Sequence, residues 1–182
     1  MKKISMIVLT VLTFGMTSCD MDKMPYDAIP AEEALTTIVG FEEARAGIYS
    51  VYLGLTGGSY VLAPEVQADA FNAVADFSNK YGELHRWTFE STNSTVETIW
   101  ANCYAAIGRA NFFIDGVGKI DENPEIELTE IQKQQINVYE GEAYFTRAYC
   151  YFYLATLFCR DYDVATAANT PGLPLQVKYE PQ

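Results

Sequence analysis

The stretch Ala143–Phe158 constrains this chain more than any other. Only Thr146, Arg147 and Thr156 interrupt its apolar and aromatic side chains. A helix built from such a run is apolar on nearly every side, so other elements must cover it all round. The helix begins earlier, where Thr129 and Gln132 form a capping-box pair. Its first turns are amphipathic, with Ile131, Ile136, Val138 and Tyr139 opposite Lys133, Gln134 and Gln135. The aromatic run Tyr144, Phe145, Tyr149, Tyr151, Phe152 and Tyr153 is expected in the core rather than on a ligand platform. Arg147 inside such a helix needs a partner, and Glu140, Glu142 or a neighbouring helix is the expected source.

Two further helices are available to cover it. Val96, Ile99, Trp100, Cys103, Ile107, Ala110, Ile114 and Val117 form one stripe, and Ser94 with Glu97 reads as a capping box before it. Phe41, Ala44, Ile48, Val51 and Tyr52 mark a first helix that ends at Gly54. Short loops between consecutive helices predict an all-α fold of tetratricopeptide-like antiparallel pairs. After Arg160 the pattern loosens, and Pro171–Leu175 ends it. Two partners are too few for a helix apolar all round. Either it packs inside a larger protein, or the chain is an incomplete fragment of a larger domain.

Residues Leu55–Asn93 form a long, less regular region, with a turn at Gly57-Gly58-Ser59 and a short helical piece at Pro64–Phe71. Long irregular segments often carry function. A polar ligand with an apolar face is held by aromatic rings on that face and by amide, carboxylate or guanidinium groups on its polar edge. Asp69, Asn72, Asn79, Tyr81, Arg86 and Trp87 offer that chemistry and are the candidate ligand-binding residues. Surface loops also carry such residues for ordinary turn chemistry.

The amino terminus addresses the chain. Lys2-Lys3, the apolar run Ile4–Phe14 and the mostly small Gly15–Ser18 read as a signal peptide over residues 1–18. Cys19 follows at once and is the expected lipidation site, the alternative being ordinary secretion with an incidental cysteine. Residues 19–34 read as an acidic, proline-containing tether, and residues 35–182 as the helical domain. Twelve basic residues face 24 acidic ones, a net charge of −12. Such a surface repels phosphate backbones, so no nucleic-acid partner is expected.

No catalytic constellation or cofactor site is visible. His85 is the only histidine, which excludes a two-histidine metal site within this chain. Gly54, Gly57 and Gly58 are not followed by the Gly-Lys-Ser/Thr of a phosphate loop. Asp161 with Asp163 and Glu140 with Glu142 supply carboxylates, but nothing in the pattern sets two across a cleft. Cys103, Cys150 and Cys159 are odd in number and are expected to act as small buried hydrophobes.

In combination these segments resemble one family. Gly141-Glu142-Ala143-Tyr144-Phe145-Thr146-Arg147-Ala148 through Leu154 resembles the "G-E-A-x-F-x-R-A-x-x-Y-F-x-L" helix of SusD/RagB proteins. Trp100, Tyr104, Ala110 and Asn111 resemble the preceding helix, Gly40, Phe41 and Tyr49 the first, and Gly172-Leu173-Pro174-Leu175 the turn that follows. The resemblance implies an outer-membrane, cell-surface lipoprotein with a helical scaffold and no enzymatic activity. It also implies an oligosaccharide or peptide ligand, passed to a SusC-like TonB-dependent outer-membrane barrel. Family members are several times longer than this chain.

Overall fold

A computed structural model describes residues 30–74, 79–124 and 126–180. The signal peptide, Cys19 and most of the tether lie outside the described residues. All regular structure among those described is helical. In chain order the elements are α1 (Ala31–Ala34), α2 (Ile38–Leu55), α3 (Ser59–Gln67), α4 (Gly82–His85), α5 (Ser94–Gly118) and α6 (Glu130–Phe158), followed by a 3-10 turn at Ala167–Asn169. The segment read as a tether thus gives its last four residues to a helical turn, and Leu35 beyond it is buried against Gly116.

Helix starts are set by single side chains. Thr37 accepts from Gly40 N–H to open α2. Thr129 and Gln132 form the expected capping box on α6. At α5 the cap is Asn93, one residue before the expected Ser94. Its Oδ1 accepts from the Thr95 and Val96 N–H groups at 3.1 and 3.4 Å. An asparagine side chain reaches these free donors as well as a serine hydroxyl does, so the capping-box reading of Ser94 and Glu97 was one residue out of register.

The α3 helix also starts earlier than expected, at Ser59, after Gly58 turns the chain with φ +57°. Pro64 therefore sits inside the helix rather than at its start. Proline has no N–H to give the carbonyl four residues back, here that of Tyr60. The Tyr153 hydroxyl of α6 donates to that carbonyl instead. A backbone defect in α3 is thereby converted into a tertiary bond to α6.

Helices α2, α5 and α6 pack together, and their core falls into two clusters. Phe41, Ile48, Phe113, Ile136 and Ala143 form one, with Phe41 and Phe113 edge-to-face at 5.5 Å. Leu84, Ile99, Cys103, Ile107, Cys150 and Leu154 anchor the other, which reaches under α3 and α4. On α6 only Ile136, Ala143, Thr146, Cys150 and Leu154 are buried. The expectation of a helix buried all round is corrected here. Tyr144, Phe145 and Phe152 are exposed, and Tyr149, Tyr151, Tyr153 and Trp100 are half-buried. Tyr52 of α2 reaches over part of that face, 6.0 Å from Phe145 and 5.5 Å from Tyr149 between ring centroids.

Arg147 finds its partner on a neighbouring helix, one of the expected sources, but the partner is an amide and not a carboxylate. Its guanidinium donates to Asn111 Oδ1 at 2.8 Å and lies over the Tyr144 ring. Glu142 is instead held by Arg45 of α2 through two contacts, 2.5 and 2.9 Å, with the guanidinium also over Tyr139 and Tyr49. The Arg45 hydrogen bond holds the Glu142 carboxyl below the usual carboxylate range, against the opposing pull of burial.

Residues Leu173–Tyr179 are a strap without regular secondary structure, in which no turn is assigned. Asn111, almost wholly buried, donates to the carbonyls of Gln176 and Lys178 at 2.9 and 3.2 Å. Asp115 accepts from Tyr179 N–H at 2.7 Å, Tyr104 donates to Pro174 O at 2.8 Å, and the Tyr151 hydroxyl donates to Gln176 O at 3.0 Å. Side chains of α5 and α6 thus take the part that a neighbouring strand plays in a sheet.

The proline accounting gives a testable outcome. Tyr153→Phe should orphan the Tyr60 carbonyl and cost about 1–3 kcal/mol in denaturant unfolding. In a Pro64→Ala background the helix can restore that bond itself, so the same substitution should cost measurably less.

Candidate ligand-binding site

The short α4 helix organises the region singled out in the sequence. Tyr81 is its N-cap, in the left-handed backbone region, and Arg86 is its C-cap. Leu84 pins the helix to the core. Gly82 lies so close to the Asn79 side chain that any Cβ there would collide with its amide. The Asn79 amide is thus held against the helix start, where its Oδ1 accepts from Arg86 Nη1 at 3.3 Å. The Tyr81 ring packs against the core while its hydroxyl bonds Ser59 Oγ at 2.9 Å.

Trp87 follows α4 directly. It is 66% exposed and its ring leans on Phe89 at 6.1 Å. Asp69, at the end of α3, reaches His85 Nδ1 at 3.6 Å, and the same nitrogen lies 3.3 Å from Val66 O. Five of the six candidates, Asp69, Asn79, Tyr81, Arg86 and Trp87, therefore gather around one helical turn. Asn72 is exposed on the irregular stretch after α3, and among the described residues no hydrogen bond ties it to the other five.

Backbone conformation singles out the same residues. Asp69, Asn79, Tyr81 and Trp87 are the non-glycine residues with positive φ among those described, at 59°, 48°, 62° and 55°. Asparagine and aspartate tolerate this region, whereas bulky tyrosine and tryptophan are outliers there. Such strain persists only when the surroundings enforce it, and it concentrates at ligand clamps and switch regions. No one-dimensional pattern in the sequence signals it.

A polar cleft of about 380 Å³ begins one residue beyond Trp87 in the chain, lined by Glu83, Thr88, Glu90, Thr92, Asn93 and Ser94. None of them is among the six residues that the sequence offers for ligand binding. The Asn93 amide that caps α5 also donates to Glu83 Oε2 at 3.0 Å, so the cleft wall is fastened to the longest-range scaffold nearby. Carboxylates, hydroxyls and an exposed indole can hydrogen-bond sugar hydroxyls and stack on a ring face. Elsewhere two of the four carboxylates weighed for hydrolysis have structural partners: Glu142 binds Arg45, and Asp163 accepts from Ala165 N–H and Thr166 Oγ1. Among the described residues no cluster of metal-ligating side chains forms and no helix is long and apolar enough to cross a membrane.

The described residues thus form an all-helical scaffold with strained residues and a polar cleft around α4. A SusD-like family profile, described as starch-binding and associating with the outer membrane, matches residues 26–181. The chain belongs to that family. It is also similar to SusD-like protein P2 of Formosa agariphila, 26% identical over 163 residues that make up 86% of this chain and 29% of that protein. The chain thus spans less than a third of that relative's length. No solved structure matches it significantly.

The strain offers a direct test. Asp69→Gly removes the side-chain penalty of the left-handed backbone and should raise stability by up to about 1 kcal/mol in thermal unfolding. A loss of stability instead would show that the His85 contact outweighs the strain.

Proposed function

We propose that this chain is part of a cell-surface lipoprotein that captures an oligosaccharide at the α4 cleft and delivers it to a SusC-like TonB-dependent outer-membrane barrel. The observation that carries the binding step is Trp87, a bulky aromatic held in a strained backbone yet left two-thirds exposed one residue ahead of a polar cleft in the chain. Sugar rings stack on such a face while Arg86, Asn79 and the cleft carboxylates take their hydroxyls. The family description supports a carbohydrate ligand and outer-membrane association. The activity is binding, with no bond made or broken and no cofactor required. Cys19, lipidated, holds the protein on the membrane.

Screening the full-length protein against a panel of oligosaccharides tests this reading. Trp87→Ala should weaken binding of the best ligand at least about tenfold, the scale of losing one anchoring aromatic. Binding unchanged by Trp87→Ala would move the site elsewhere. Cys19→Ser should release the protein from the membrane fraction, and retention there would rule out the lipid anchor.

One observation favours a second reading, a helical scaffold for a protein partner. Tyr49, Leu53, Phe145 and Phe152 are exposed along α2 and α6, and a shallow cavity of about 270 Å³ lies between Tyr49, Tyr52, Val138 and Phe145. Copurification of a membrane barrel without any glycan affinity would favour that scaffold.

A further inference from the structure

The outward face of α6 carries a seven-residue repeat that the binding function does not use. Ile131, Val138, Phe145 and Phe152 stand seven residues apart, and all are exposed, Phe145 by 58% and Ile131 by 78%. Three residues after them come Gln134, Gly141, Ala148 and Ala155, exposed as well and, beyond the first, small. Positions alternating by three and four along a helix form one seam, along which a second helix packs knobs into holes. Of the exposed residues on α6 only Glu130, at its start, is charged, in a chain whose net charge is −12. Loss of charge together with large exposed apolar side chains marks the middle of an interface. Beside the seam lies the shallow cavity between α2 and α6, about 270 Å³, with Gly141 in its wall next to Tyr49 and Tyr52. A Cβ at Gly141 would meet no atom within 4 Å, so the space over it is open.

We propose that α6 pairs antiparallel with α6 of a second copy of this chain, about a two-fold axis level with Ala143. The seam is self-complementary in this arrangement and not in the parallel one. In a parallel pair each large residue would face its own copy, Phe145 on Phe145, and the small positions would face one another across a gap. In the antiparallel pair large faces small: Phe145 faces Gly141 of the second copy, Val138 faces Ala148, and Ile131 faces Ala155. Phe152, at the end, lies along the aliphatic stem of Gln134. Bulk opposite a gap is what close packing requires. Phe145 of each copy then fills the cavity over Gly141 of the other, with Tyr49 and Tyr52 as its walls. Both copies use the same patch, so the contact closes as a dimer rather than running on as a fibre. The pairing occupies the face that the scaffold reading gives to another protein, and it uses none of the residues around α4.

Sedimentation of the full chain, purified in detergent, tests this. The wild type should be a dimer at micromolar concentration. Gly141→Leu has room in the single copy and gains helix propensity, so its helical fold should persist by circular dichroism. The filled hole should nevertheless raise the dimer dissociation constant at least about tenfold. Phe145→Glu, which removes the knob and adds a charge to the seam, should leave a folded monomer. For the register, Gly141→Cys and Phe145→Cys chains in a Cys159→Ser background are mixed and treated with a short bis-maleimide. The mixture should crosslink well above either chain alone. A monomeric wild type would overturn the proposal and leave the seam to another occupant, a further helix of a longer polypeptide or a partner protein. A dimer unmoved by both Gly141→Leu and Phe145→Glu would place the contact on a different face. Phe145→Cys crosslinking as well alone as in the mixture would reject the antiparallel pairing.

Discussion

The close packing of α5 against α6 is the constraint on which the rest depends. Ala106, Ala110 and Ala143 are buried along these helices, as are Cys103 of α5 and Cys150 of α6. Directly after Ala110 on α5, Asn111 receives Arg147 from α6 and holds the strap by two backbone carbonyls. The amide is nearly fully buried, and all three of its hydrogen bonds are to groups brought in by other elements. A buried amide without such partners would cost several kcal/mol, so the helix pair and the strap define each other.

That pair positions the candidate site through two short links. Tyr153 of α6 completes the helix that Pro64 leaves open in α3. Asn93 caps α5 and grips Glu83 of α4 with the same side chain. The α4 turn, with Leu84 in the core below and Trp87 exposed above, is thus fixed at both ends to the long helices. Rigid support of this kind lets a loop carry strained residues, since the cost of each left-handed backbone is met by packing elsewhere. A preordered aromatic edge also loses little freedom on meeting a ligand.

The sequence disclosed the long helices well, because the stripe from Val96 to Val117 and the Thr129–Gln132 cap are local signals. Family membership was legible too, through Gly141–Leu154 and Ala110-Asn111, and the strap now gives a physical reason for Asn111 and Arg147 in that pattern. The Asn93 cap and the early start of α3 were misplaced by a few residues, as capping preferences overlap among asparagine, serine and glycine. The exposure of Phe145 and Phe152 contradicted the expectation of a core helix, because periodicity reports how apolar a helix is and not what covers it. At the candidate site, residue chemistry points to Asp69, Asn79, Tyr81, Arg86 and Trp87, which the fold gathers around α4. It does not signal the strain that all of these but Arg86 share, or the cleft nearby, which exist only once the chain has turned at Gly82.

The central claim is that the α4 cleft is where an oligosaccharide is held. Hydrogen–deuterium exchange of the full-length protein, with and without the oligosaccharide that binds it most tightly, tests this most directly. The account predicts slowed exchange concentrated in residues 79–93 and at the end of α3, with α2 and the outer face of α6 unchanged. Protection confined to α2 and α6, with residues 79–93 unaffected, would contradict it and place the ligand on the exposed aromatic face instead.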